Sequence, residues 1–292
     1  MPSTKDLRDR IKSVSNTAKV TGAMQLIAAS KMTRAQNMVR EGRPYAERIL
    51  EVLGDLAALA AKEDDELVVD LLRIRPVHKT LVVLVTPDRG LAGALVGNLQ
   101  RAAGRFIQDT EGEVSVIGVG RKGERFITRA GEDLLAAFSV TDRPRLDDTV
   151  TISRMLIDEY AAERVDRVVL IYATFITTVV QQVTTQQLLP VEPPERGEGD
   201  VAKLQQLDYI YEPSVTEVLA SLAPRYIETQ VYHGILEAIA SEHSARMIAM
   251  KNATDNANEI VEDLTLDLNK ARQESITAEL LDIVGGVAAL EG

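Results

Sequence analysis

The chain has no cysteine and no tryptophan in 292 residues. Without cysteine, disulfides and thiolate metal sites are excluded; this suits a reducing interior without proving one. Aromatic residues make up only 4%, sparse for a large compact core and better suited to long Ala/Leu/Met helices with narrow seams. No apolar run approaches the roughly 20 residues of a membrane span. Met1-Pro2-Ser3-Thr4 opens no apolar leader. The expectation is a soluble chain without a targeting peptide, reaching a membrane only through partners. A net charge of −11 argues against general nucleic-acid binding. No proline follows Pro224.

What remains after Pro224 is one long periodic stretch. Met247, Met250, Thr254, Ala257, Val261, Leu264, Leu268, Ala271 and Ser275 recur at alternating steps of three and four, the a/d pattern of a coiled-coil seam. It extends back through His243, Ala240 and Leu236. From Tyr226 onward a helix would run roughly 100 Å, too long for a compact domain, so it needs a partner. Residues 4–40 offer one. Leu7, Ile11, Val14, Ala18, Thr21, Ala28, Met32, Ala35 and Val39 form a matching stripe, with Gln25 in its gap. Ser3 or Thr4 caps this helix, with Asp6 in the first turn. Pro44 is expected to kink or interrupt it before a second helical stretch, Tyr45 to Lys62. Charge supports the pairing: residues 1–48 hold ten Lys/Arg against four Asp/Glu, and residues 203–292 hold six against fifteen. Such asymmetry fixes orientation more than it stabilises.

Between the helices the pattern changes. Lys79–Thr86 is a β-branched run of the kind buried on both sheet faces. Helix Leu95–Asp109, strand Val114–Val119, helix 121–131, strand Ala137–Val140 and a helix to Ala162 follow, the last capped by Asp147 or Asp148. Strands Arg167–Thr174 and Thr177–Leu189 pair as a hairpin. This alternation predicts a mostly parallel, Rossmann-like sheet flanked by helices. The expected division is 1–62, the N-terminal shaft helix; 77–190, the α/β domain; 191–208, a surface loop; and 209–292, the C-terminal shaft region. The fold class is thus α/β, with a long antiparallel coiled coil of N- and C-terminal helices and an inserted α/β domain.

Two glycine turns invite a chemical reading. Gly118-x-Gly120-x-x-Gly123 has dinucleotide-fingerprint spacing, opens a helix after a strand, and has Asp142 beyond it where a ribose-binding acid would stand. Yet its strand is the second of the domain, and an ordinary tight turn is favoured. Asp88-Arg89-Gly90-Leu91-Ala92-Gly93 follows the first strand without a Walker lysine, so backbone geometry explains it. His78, His233 and His243 are scattered; His243 falls on the seam, as a packed side chain rather than a metal ligand. No catalytic, cofactor or metal site is expected. After the polar turn Arg272–Glu279, the apolar run from Leu280 to Leu290 predicts a tip buried in another protein.

These motifs carry a resemblance. Ser241-Glu242-His243-x-Ala245-Arg246-Met247-x-Ala249-Met250-Lys251-Asn252-Ala253-Thr254-Asp255-Asn256-Ala257 and Ile276-Thr277-x-Glu279-x-x-Asp282-x-x-x-Gly286 are similar to the two C-terminal motifs of the gamma-subunit family of F-type ATP synthases. Lys19-Val20-Thr21, Ala23-Met24 and Ala28-Ala29-Ser30-Lys31-Met32 resemble its first helix, and Asp88–Gly93 its glycine turn. The likeness spans essentially the whole chain. Val287 departs from the family's usual alanine and Gly22 from a basic residue, which implies altered tip packing and one charge fewer on the first helix.

The resemblance implies a central rotor shaft without an active site of its own, coupling ion translocation to ATP synthesis or hydrolysis. It implies alpha and beta subunits, epsilon and the membrane c-ring as partners, and a peripheral place on the cytoplasmic side of a bacterial plasma membrane. Met24, Arg246, Arg272, Gln273, Thr277 and Glu279 would contact the catalytic ring, and Tyr209, Tyr211 and Glu212 would form the foot on the rotor ring. The competing readings are an oxidoreductase built on Gly118–Gly123 and a free-standing coiled-coil adaptor.

Overall fold

The computed structural model describes residues 3–60, 70–194, 212 and 214–291; for residues 282 and 285–291 it describes the backbone alone. The chain falls into two compact units, Ala29–Ala245 and the pair Met1–Ala28 with Arg246–Gly292. Two helices contribute to both: α1 (Thr4–Ala60) and α5 (Val215–Glu291).

Five strands build the larger unit's sheet: β1 (Lys79–Val85), β2 (Glu113–Val119), β3 (Asp133–Phe138), β4 (Arg167–Phe175) and β5 (Gln181–Leu189). Their order is β3-β2-β1-β4-β5, parallel except for β5. β1 is central because its sequence is. Leu81, Val82, Val83 and Leu84 are fully buried, between β2 and β4. Its side chains feed two cores, as a strand covered on both faces requires. Leu81 and Val83 join Leu53 and Leu56 of α1, Leu156 and Tyr160 of α4 (Leu146–Ala161), and Ile227 and Val231 of α5. Val82 and Leu84 join Ala103 of α2 (Leu95–Asp109) and Ile127 of α3 (Arg121–Ala130). Against β4, α5 packs so closely that a Cβ on Gly234 would stand 2.4 Å from Leu170 Cδ2.

Four local expectations are corrected. Strand β3 lies at Asp133–Phe138, not at Ala137–Val140. As an edge strand it alternates exposed and half-buried positions, and its register with β2 shifts at Val116/Ile117; its apolar run Leu134–Phe138 is made largely of Leu and Ala, which favour helix over strand and so marked it poorly. The second strand of the hairpin starts at Gln181, not Thr177; Ile176–Val180 form the turn, where Thr177 Oγ1 accepts the N–H groups of Val179 and Val180. Neither Asp147 nor Asp148 is the N-cap of α4: Arg145 holds that place, and Asp148, in the first turn, reaches back to accept its N–H at 2.7 Å. Pro44 does not divide α1, and Pro224 lies inside α5, which starts at Val215. Pro44 withholds one helix N–H, but Ile49, Leu53 and Leu56 anchor the next turns in the core.

The smaller unit is the two-helix seam. Ser3 caps α1 reciprocally with Asp6: Ser3 Oγ accepts the Asp6 N–H, and Asp6 Oδ2 accepts the Ser3 N–H. The predicted stripes are the buried and half-buried positions on both helices, except Ser275, which is exposed beyond the end of the seam. Along α5 they are Met250, Thr254, Ala257, Val261, Leu264, Leu268 and Ala271, with Ala253 beside Thr254, and every other described side chain from Lys251 onward is exposed. Along α1 they include Leu7, Ile11, Val14, Ala18, Thr21, Gln25 and Ala28.

Candidate functional site

The fingerprint-like turn is closed by the protein's own groups. Gly120 has φ 95°, and a Cβ there would stand 2.0 Å from the Thr86 carbonyl oxygen, so glycine is required for β1 and β2 to end side by side. A bound pyrophosphate would need free N–H groups at the start of α3. Instead, the Arg121 N–H donates to Asp88 Oδ1 at 2.8 Å, that of Lys122 to the Pro87 carbonyl at 3.3 Å, and that of Gly123 to Thr86 Oγ1 at 2.7 Å. The N–H of the N-cap, Gly120, donates to the Phe138 carbonyl at 2.8 Å. All four orphan donors of the helix start are therefore satisfied. The Asp88 carboxylate, which also accepts Ser139 Oγ, stands where the phosphate would. Thus Asp88 pins one glycine turn to the other.

Asp142, the residue at the ribose-acid spacing, serves α1 and α5 instead. It pairs with Lys31 of α1, and its Oδ1 lies 3.8 Å from Nε2 of His243 on α5, which is 3% exposed. His243 is a packed seam residue, as its position predicted.

The seam supplies the remaining geometry. Thr21 Oγ1 lies 2.6 Å from Thr254 Oγ1, joining α1 to α5. Equal steps in opposite directions from this pair set Ala18 against Ala257, Val14 against Val261, Ile11 against Leu264 and Leu7 against Leu268, which is an antiparallel register. One further step sets Thr4, the first residue of α1, against Ala271. The seam ends there because α1 ends there. From Arg272 to Val284 every described side chain is exposed, including Ile276, Leu280, Leu281, Ile283 and Val284 at 54–66%. A helix apolar on several faces and lacking a covering partner among the described residues has the character of an interaction surface.

Arg272, Gln273, Thr277 and Glu279 lie on this stretch; Thr277 Oγ1 donates to the Gln273 carbonyl at 2.9 Å. Met24 and Arg246 are half-buried members of the two-helix unit. Glu212 is exposed, whereas Tyr209 and Tyr211 lie outside the described residues. Sequence reasoning put Thr21 and Thr254 on their stripes but did not pair them. The signal was present: a threonine at a seam position on each helix.

A chain that gives both ends to a coiled coil, and whose α/β middle closes its fingerprint-like turn with its own groups, has the build of a stalk-like subunit rather than of an oxidoreductase. The family model described as ATP synthase matches residues 3–290. The ATP synthase gamma chain of Dehalococcoides mccartyi is 52% identical over 285 residues, covering 97% of this chain and 98% of the relative. That of Roseiflexus castenholzii is 47% identical over 295 residues, covering 99% of each. Among solved structures, the central stalk/c-ring of Tetrahymena thermophila mitochondrial ATP synthase is similar at TM-score 0.60 and 25% identity, over 80% of this chain and 99% of that one. A chain of Euglena gracilis mitochondrial ATP synthase shares the fold at TM-score 0.65 and 17% identity, over 98% of this chain and 94% of that one. The chain belongs to the gamma-chain family of F-type ATP synthases, the central-stalk rotor subunits.

Proposed function

We propose that this chain is a shaft with no reaction of its own, turned by the c-ring of a membrane sector inside a ring of alpha and beta subunits. The observation that carries this reading is the helix that outruns its partner. Beyond Ala271, α5 presents apolar and polar side chains on every face, as suits a surface that meets several surroundings in turn. A shaft does work by touching different conformations of its surroundings with different affinity. Arg272, Gln273, Thr277 and Glu279 meet the catalytic ring from α5, and Met24 with Arg246 meets it lower on the seam. Tyr209, Tyr211 and Glu212 form the foot toward the c-ring, beside epsilon.

The chain spans 1–62 and 209–292 as shaft, 77–190 as α/β domain and 191–208 as connecting loop. No described helix is long and apolar enough to cross a membrane; attachment to the cytoplasmic face of a bacterial plasma membrane runs through the partners. Reconstitution tests the reading. Alpha and beta subunits of a related bacterial enzyme, mixed with this chain, should gain ATP turnover that drives ion pumping once joined to the membrane sector. The chain alone should turn over no ATP. Saturable micromolar binding of NAD(H) by the isolated chain, or turnover indifferent to its addition, would overturn it.

A further inference from the structure

From the seam geometry we infer that Thr21 and Thr254 lock the register of the two-helix shaft, and are positioning residues for torque transfer. The inference rests on the rotor reading. Around this pair the seam is built from aliphatic side chains, with Gln25 as the polar neighbour. Aliphatic layers resist separation but discriminate poorly between registers, because a slip by one heptad buries much the same area. The small layers here discriminate least. Ala18 and Ala257 stand on one side of the pair, and Gly22 is beside it, where even an added Cβ would only touch Thr254 Cγ2 at 3.9 Å.

The two hydroxyls supply the missing specificity. Thr254 Oγ1 lies 2.8 Å from the Met250 carbonyl, and Thr21 Oγ1 lies 3.1 Å from the carbonyls of Thr17 and Ala18. Two protons therefore serve a short chain with a helix carbonyl at each end. Either Thr21 donates to Thr254, which donates to Met250 O, or the order reverses and Thr21 donates to its own helix. Both states keep the cross-helix bond, and both leave every polar atom satisfied. A shift of either helix along the other breaks that bond while leaving each hydroxyl its local carbonyl. The pair thus adds little to stability and much to register, the established use of a polar residue in a coiled-coil seam. A shaft that transmits torque needs this property, since a slipped register turns rotation into twist.

The test uses the whole complex in membrane vesicles, and the chain's lack of native cysteine gives it a clean background. Ala18→Cys with Ala257→Cys reports the native register by disulfide formation, and Ala18→Cys with Leu264→Cys reports a slip of one heptad. With native threonines only the first pair should crosslink. In the Thr21→Val, Thr254→Val background the slipped pair should crosslink as well. Ions pumped per ATP, measured with those threonine variants but without the cysteines, should fall at least twofold. The melting temperature of the isolated chain should barely move, and Thr→Ser at both positions should restore both readouts.

Unchanged crosslinking would overturn the lock, and slippage with unchanged pumping would overturn its role in torque transfer. Complexes with both native threonines serve as the control. If these hydrolyse ATP without pumping, the rotor reading fails instead.

Discussion

At the scale of single residues, carboxylates do the work that the sequence suggested for ligands. Asp88 occupies the anion position of a phosphate turn, and Asp142 bridges α1 and α5 rather than holding a ribose. Asp166 is a third case. Burial pushes its carboxyl up, but N–H bonds from His78 and Lys79, both 2.9 Å, and the Arg75 guanidinium outweigh this and hold it below the ordinary value. Its folded pKa is the lower one. The stabilisation is therefore complete above the unfolded carboxylate value of about 4 and is lost as pH falls through the folded value. Asp166→Asn should cost roughly 1 kcal/mol at neutral pH. Urea melts across pH should show that cost shrinking in acid. A cost that is constant with pH would remove the ionised carboxyl from the explanation.

At the scale of elements, the seam makes the strongest claim on the sequence. Leu264 is 8% exposed at the centre of the C-terminal stripe, so Leu264→Asp buries an unpaired charge and should cost about 2–4 kcal/mol. Circular-dichroism melts of the isolated chain check this, and an unchanged melt would move the register. Both stripes were legible because a long helix repeats its signal, so that each heptad confirms the last. Central strands β1 and β4 were legible because burial on both faces leaves an unbroken β-branched run. Edge strand β3 was not, since its short run Leu134–Phe138 is rich in Leu and Ala, which favour helix over strand. Pro44 misled because proline acts locally, while its helix is held by packing in the turns that follow. The closing of the Gly118–Gly123 turn could not be read at all: it depends on Thr86 and Asp88, more than 30 positions from the donors they meet.

At the scale of the whole molecule, the proposed ring contacts can be separated from folding. Arg272 and Gln273 are exposed and lie beyond the seam, so Arg272→Ala with Gln273→Ala should leave the isolated chain's melting unchanged. In the complex, ATP-driven ion pumping should fall by roughly fivefold or more, the low end of ordinary coupling energies. Normal pumping in vesicles would take both residues out of the coupling path.

The order in which the chain is made bears on the two-helix unit. Thr21 meets Thr254 across 233 positions, so the first helix to leave the ribosome waits for the last. The Ala29–Ala245 unit is one continuous segment and can fold as it emerges. The seam, made from both ends of the chain, has a contact order that delays it until synthesis ends. During that interval Leu7, Ile11 and Val14 face water on an amphipathic basic helix, the kind of surface that chaperones and premature partners bind. Cellular yield should therefore depend more on how long that helix stands alone than on the stability of the finished coil.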